Sequence, residues 1–153
     1  MAPESPVYTQ ADVEALSERY NEPQWLRESR LAAWELYEEM PMPSLQDEDW
    51  RRTDYRHIRW DQASPIVEAN GASLDIVPQE NLEPLSGEEQ GGFIVFVDGK
   101  IVHYEIPEAL KAQGVIFTDL QTACREHTEI VRPRLMTQAV LPGDGKFAAL
   151  HAA

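Results

Sequence analysis

The residues best suited to bind a metal in this sequence are Cys124 and His127, a thiol and an imidazole whose spacing places them on one face of a helix. A pair is not a site. Structural zinc takes about four ligands, and the chain holds no second cysteine. A free cysteine is more often a small buried hydrophobe, so a metal-binding enzyme built on Cys124 and His127 is the weakest reading of the chain. His57, His103 and His151 lie far apart in sequence and read as ordinary surface or packed side chains.

Other chemistries fare no better. A phosphate loop needs spaced glycines, a lysine and then a hydroxyl residue; Gly143-Asp144-Gly145-Lys146 lacks the leading glycine and the hydroxyl, and reads as a turn. The dinucleotide fingerprint, the H-E-x-x-H helix, paired C-x-x-C and the G-x-S-x-G elbow are all missing. Glu38-Glu39, Asp47-Glu48-Asp49 and Glu88-Glu89 could serve as acid and base, but on so acidic a chain they read as solvated surface. Trp25, Trp34, Trp50, Tyr55 and Trp60 could stack bases with help from Arg51, Arg52, Arg56 and Arg59, yet Asp47, Glu48, Asp49, Asp54 and Asp61 neutralise those arginines. The residues therefore offer no catalytic, cofactor-binding or metal site, and the chain reads as a non-enzyme.

The elements that carry these side chains are legible in outline. Thr9 is a helix N-cap with Asp12 placed to return a carboxylate, predicting a helix over about 10–20. Pro23 suits the first turn of a second helix, which Met40-Pro41-Met42-Pro43 ends. Leu26, Ala33, Tyr37 and Met40 form one stripe of that helix, bordered by Trp34 and Leu36, while Glu28, Glu35 and Glu39 face away. Residues 47–61 show no period and should wrap the surface on Trp50 and Trp60. Residues 62–92, with Ile66, Val67, Leu74, Ile76 and Val77, allow short edge strands before the Ser86–Gly92 run. Asp98-Gly99 between two β-rich runs predicts a hairpin over 93–106. Beyond it, a helical turn between Pro107 and Gly114, a strand Val115–Phe117, a helix capped by Thr118 or Asp119 through His127, and a stretch interrupted at Pro133 are expected.

Composition narrows the function classes. The 27 acidic against 13 basic residues give a net charge of -14, which repels nucleic acid and anionic membrane surfaces. No apolar run is long enough to span a bilayer and the first residues lack a secretory pattern, so a cytoplasmic protein is expected. A lone cysteine rules out an internal disulfide framework. On these grounds the chain is an acidic α+β module that binds other proteins.

Four stretches, in order, resemble the N-terminal region of the SufB and SufD family of iron-sulfur cluster assembly proteins. Glu22–Pro43 is similar to the family's opening helix with its E-P-x-W-L start and P-x-P exit; Asp47–Asp54 resembles a segment more typical of SufD than of SufB. Gly114–Val131 follows, and Asp144–Ala153 resembles the K-F-A-A-L-N-A run at the entrance to the family's large domain, with His151 where asparagine is usual. The resemblance implies a scaffold component that works with SufB and the ATPase SufC, and a parallel β-helix core beyond residue 153. Family residues tied to cluster formation lie in that core and in C-terminal parts, and Cys124 matches none of the family's cluster cysteines, so no site residue and no cofactor carries over to this fragment. The expected organisation is α+β: a tail and helical segment over 1–61, a small sheet-bearing segment over 62–143, and the start of the core domain at 144–153. The alternative is a free-standing acidic protein-protein interaction domain. Phe93–Val97, apolar on both faces, and the apolar, uncapped Phe147–Ala153 lead us to expect an incomplete folding unit.

Overall fold

A threonine followed three positions later by an aspartate opens the first helix, α1 (Gln10–Arg19), through a reciprocal capping box: the Thr9 hydroxyl accepts from the Asp12 amide, and the Asp12 carboxylate accepts from the Thr9 amide at 2.8 Å. The computed structural model describes residues 7–62, 72–83 and 91–153; Ile66, Val67, Glu88 and Glu89 lie outside the described residues. The chain is α+β and divides into two compact units, Met1–Pro65 with Asp119–Ala153, and Ile66–Thr118.

In the first unit α2 (Gln24–Glu39) follows α1 after a short turn. Pro23 stands one position earlier than expected: it is extended, and its carbonyl receives the Leu26 and Arg27 amides as the N-cap. Met40 is extended too (ψ 138), because a residue before proline disfavours the helical conformation. The stripe is buried as the period requires. Leu26, Ala33, Trp34 and Tyr37 are inside, Leu36 and Met40 are partly buried, and Glu28, Glu35 and Glu39 are exposed.

The core of this unit joins Val13 of α1 and Ala33, Trp34 and Tyr37 of α2 to Ala149 and Ala153 at the chain's last helix, α7 (Lys146–Ala152). The run Phe147–Ala153, which reads as an open apolar end, is thus packed, with Ala149 fully buried. Two short helices precede it. The first, α5 (Leu120–Glu126), is capped by Asp119, whose carboxylate accepts from the Thr122 amide at 2.8 Å. The next, α6 (Thr128–Val131), is shorter than Glu129–Val140 allows: turns follow it, and the left-handed backbone at Met136 (φ 52) ends any continuation.

The Asp119 cap yields a first prediction. Partial desolvation opposes its carboxylate, but the bonds from Thr122, its own backbone and nearby Arg125 outweigh that and hold its pKa below the ordinary 3.8. A carboxylate with a depressed folded pKa stabilises the fold above its unfolded pKa and loses that contribution as pH falls through the folded value. Asp119→Ala should cost about 0.5–2 kcal/mol near neutral pH. In urea denaturation the gap between the two proteins should close toward about pH 2; a gap that is absent at neutral pH, or unchanged in acid, would refute the cap.

In the second unit Leu74–Ile76 forms a 3-10 turn and Gln79–Leu82 a helical turn, α3, started by Pro78. The described residues of 62–92 thus hold no edge strand: the turn bond from the Val77 amide to the Leu74 carbonyl and the proline after it leave no ladder to extend. The hairpin is present as β1 (Phe93–Val97) and β2 (Lys100–Glu105), joined by Asp98 (φ 50) and Gly99 (φ 77), the positive pair that a two-residue turn demands. Register slips between Val95 and Phe96, so Val102 has no partner and forms a bulge. Opposed residues share a face, which puts Phe93, Val95 and His103 on one side and Ile94, Phe96, Ile101 and Tyr104 on the other. Val95 is buried while Phe96 and Tyr104 are exposed.

A single turn, α4 (Glu108–Ala112), follows Pro107 and ends at Gly114 (φ 82). Val115–Phe117 is not a strand. The Val115 amide closes the preceding turn on Leu110, and Phe117 is held by a side chain, the Tyr104 hydroxyl donating to its carbonyl while the two rings stack. A segment fixed by one side chain needs no neighbouring strand, and it leaves Val115 and Ile116 exposed.

Candidate functional site

The most tightly built polar group lies in the first unit, where the turn between α1 and α2 carries Glu22. The Glu22 carboxylate is 1% exposed, and Arg30, two turns along α2, grips it in a fork, Nε to Oε2 and Nη2 to Oε1, both at 2.7 Å. The Ser17 hydroxyl donates to the same carboxylate at 2.9 Å, and the Glu22 amide donates to the Ser17 carbonyl. The remaining Arg30 nitrogen, Nη1, donates to the Ala153 carbonyl at 3.0 Å. One guanidinium therefore ties the α1–α2 turn to the end of α7. Sequence reasoning missed this group; its signal, a glutamate beside a helix-starting proline and an arginine two turns on, is common on helices with no burial at all.

Cys124, on α5, is buried beside this pair. Desolvation pushes its thiol up, the Glu22 carboxylate adds to the rise, and Arg30 and Arg125 offset only part of it. A thiol held protonated is neither a good nucleophile nor a good metal ligand. His127 is the residue at which α5 ends and α6 starts. Among the described residues no three Cys, His, Asp or Glu side chains come together as a metal site. Cys124 should react with an aromatic disulfide reagent only on unfolding: we expect slow, denaturant-dependent labelling of the native chain, and rapid stoichiometric labelling would refute the burial.

The turn Gly143-Asp144-Gly145 is part of a 3-10 turn, Pro142–Asp144, with Gly145 after it. It leads into α7, where the Lys146 ammonium donates to the Tyr37 carbonyl and, at 2.8 Å, to the Met40 carbonyl, 3.8 Å from the Tyr37 ring centre. Lys146 thus caps the carbonyl end of α2, the favourable end for a cation. Burial lowers its pKa and raises that of Tyr37.

The aromatic set splits. Trp34 sits in the core against Tyr37 at 4.9 Å, whereas Trp50, Tyr55 and Trp60 surround Phe147 at 5.1, 5.5 and 5.9 Å. Three of the four arginines near them are paired: Arg51 with Glu48 at 3.2 Å, Arg56 with Asp54 at 2.7 Å and Arg59 with Asp61 at 2.9 Å. The hydrogen bonds from Arg56 hold the Asp54 carboxyl well below the usual carboxylate range. These three pairs are the internal pairing expected from the charge pattern. Glu38, Glu39 and Asp49 are exposed, and Asp47 accepts from the Ser44 amide. His57 and His151 are exposed; His103 stacks on Phe93 with Nε2 3.5 Å from Glu105.

A cavity of about 250 Å³ lies among α1, α2 and α7, walled by Tyr8, Val13, Leu16, Trp34 and Leu150 with Arg30 at its polar side. The Glu22–Arg30 pair and the Lys146 ammonium both hold helices of the first unit together. Among the described residues no helix is long and apolar enough to cross a membrane.

No family model matches the chain. No solved structure matches it either. Curated proteins do. The chain is 32% identical over 154 residues to the iron-sulfur cluster assembly protein SufD of Bacillus subtilis, covering 92% of this chain and 32% of that protein. It is 30% identical over 156 residues to SufB of the same organism, with 95% and 32% covered, and 33% identical over 155 residues to a SufBD family protein of Mycobacterium bovis, with 95% and 18% covered. The chain thus spans about a third or less of the length of these relatives. Identities of 32% to SufD and 30% to SufB differ too little to choose between them. The similarity runs through nearly all of this chain's residues and reaches both branches of the SufB/SufD family of iron-sulfur cluster assembly proteins.

Proposed function

We propose that this chain is the N-terminal part of a SufD-like scaffold component of the iron-sulfur cluster assembly machinery, cytoplasmic and without catalytic activity of its own. Its full-length form would pair with SufB and the ATPase SufC, with residues 144–153 leading into the core domain. The observation that carries the assembly-scaffold part of this reading is the alignment with both SufD and SufB over more than nine tenths of the chain, and the SufD-like part rests on the resemblance of Asp47–Asp54 to a segment more typical of SufD. Two features support a packing or docking role over a chemical one: the polar group around Glu22 is spent on joining helices, and the one thiol is buried and kept protonated.

The test is a chimera in which this chain replaces the segment it aligns with in Bacillus subtilis SufD. The chimera should accumulate, co-purify with SufB and SufC, and sustain the activity of an iron-sulfur enzyme in cells lacking native SufD. A chimera that accumulates normally but does neither would overturn the reading. Anaerobic reconstitution of the chain alone should give no chromophore that Cys124→Ala removes, since clusters take about four thiolates.

One observation favours the free-standing interaction domain instead. The last helix is seated, with Ala149 and Ala153 buried against α2, as a self-contained unit would require. Sedimentation and amide hydrogen exchange on the chain alone separate the two: a monodisperse monomer protected through Phe147 and Leu150 supports the free-standing domain, and fraying or self-association supports the scaffold fragment.

A further inference from the structure

The cavity among α1, α2 and α7, about 250 Å³, is larger than a packed interior ordinarily leaves open, since voids in protein cores rarely exceed the size of a water molecule. Its walls are of two kinds. Val13, Leu16, Trp34 and Leu150 give it aliphatic and indole surface, while Tyr8, Asp12, Arg30 and His151 border it with polar groups. An apolar hollow of about 150 Å³ already takes up benzene, so one six-membered ring fits here with room for a substituent.

The polar border specifies that substituent. An arginine carries five N–H donors, and Arg30 spends three of them: Nε and Nη2 on the Glu22 carboxylate at 2.7 Å, and Nη1 on the Ala153 carbonyl at 3.0 Å. One N–H on each terminal nitrogen is left with no partner among the described residues, and these suit an acceptor oxygen. That oxygen needs no charge of its own, because the guanidinium is already matched by Glu22 in a two-bond fork. Asp12, whose carboxylate accepts from the Thr9 amide, is a second acid at this border. A ligand carboxylate would make a third negative group about one guanidinium and be repelled. We propose that the cavity is a binding site for a small uncharged aromatic molecule bearing one carbonyl oxygen, an aryl amide or ketone, with its ring against Trp34, Leu16 and Leu150 and its oxygen on Arg30. Such a ligand touches α1, α2 and α7 at once, so its binding stabilises the unit in proportion to its occupancy.

Benzamide, toluene and benzoate share one ring and differ at one group, and titrating each into the whole unaltered chain tests the site. Benzamide should shift the methyl signals of Val13, Leu16 and Leu150 saturably, leave those of exposed Val115 and Ile116 in place, and raise the melting temperature. It should bind about tenfold more tightly than toluene, the worth of one hydrogen bond, and more tightly than benzoate. Leu16→Trp, which fills the cavity, should abolish the benzamide shifts in a chain that still folds. The site is overturned if benzamide moves none of the three cavity residues, or moves methyls throughout the chain alike. Toluene binding as tightly as benzamide would reduce it to a dry void, and benzoate binding more tightly would make it an anion site; either overturns the ligand class. Benzamide shifts that persist in folded Leu16→Trp overturn it as well, and if that variant does not fold, the ranking of the three compounds on the unaltered chain decides.

Discussion

Glu22→Ala should lower the unfolding free energy of this protein by about 3–5 kcal/mol, toward the lower end because Arg30 keeps some solvent. The carboxylate is 1% exposed and its partner's side chain 17% exposed, so truncating Glu22 strands a guanidinium with no counter-ion in a largely dry place. It also leaves the Ser17 hydroxyl without its acceptor. The same substitution loosens the turn that joins α1 to α2 and the hold of Arg30 on the end of α7. Since a domain of this size is stable by about 5–15 kcal/mol, the variant should sit close to unfolding at moderate temperature. The decisive comparison is with the double replacement Glu22→Leu with Arg30→Met, which removes both charges. Most of the loss should be recovered there, because two apolar side chains carry no desolvation cost. Urea denaturation of the three proteins measures this. A Glu22→Ala midpoint equal to that of the unaltered protein would show that the pair is not buried as described.

Trp34→Ala is expected to have an effect of similar size, about 3–5 kcal/mol, through a different cause. Trp34 is 3% exposed at the centre of the core that α1, α2 and α7 share, and it lies against Tyr37 and the wall of the cavity beside Arg30. Its loss would enlarge an existing void, and the cost of such a change rises with the space that stays empty. The indole nitrogen has no hydrogen-bond partner among the described residues. Trp34→Phe should therefore cost much less than Trp34→Ala, since it keeps most of the ring volume and removes an unpaired buried donor. Calorimetry, or the helical signal followed against urea, distinguishes them. Equal losses for phenylalanine and alanine would mean that the indole N–H is bonded, and negligible loss for both would place the residue outside the core.

What could be read from the chain alone was what neighbouring residues decide among themselves. Thr9 and Asp12 make a cap because they lie within one turn; Pro41 stops α2 at Met40 because the clash is between adjacent residues; Asp98-Gly99 makes the hairpin because that pair tolerates the positive φ angles of its turn. The buried stripe of α2 follows equally from a period of 3.6, and the pairing of Arg51, Arg56 and Arg59 follows from acids two or three positions away. Likeness to SufB and SufD was legible too, because homology persists in short runs whose order survives.

The rest depends on residues far apart in the chain, where no local preference acts. Glu22 reads as one acid among 27 until the fold buries it against Arg30. Lys146, which looked like the stray lysine of a failed phosphate loop, closes the carbonyl end of a helix more than a hundred positions earlier. Phe147, read as part of a loose end, is the ring on which Trp50, Tyr55 and Trp60 close. Val115–Phe117 shows the converse: its β-branched run suits a strand, but a strand exists only where another backbone offers its amides and carbonyls, and here Tyr104 holds the segment by its side chain instead. Burial and hydrogen-bond pairing are properties of the folded chain, because they are set by which surfaces meet. For this protein, local chemistry determined the elements, and the meeting of α1, α2 and α7 decided which ordinary charged and aromatic residues hold them together.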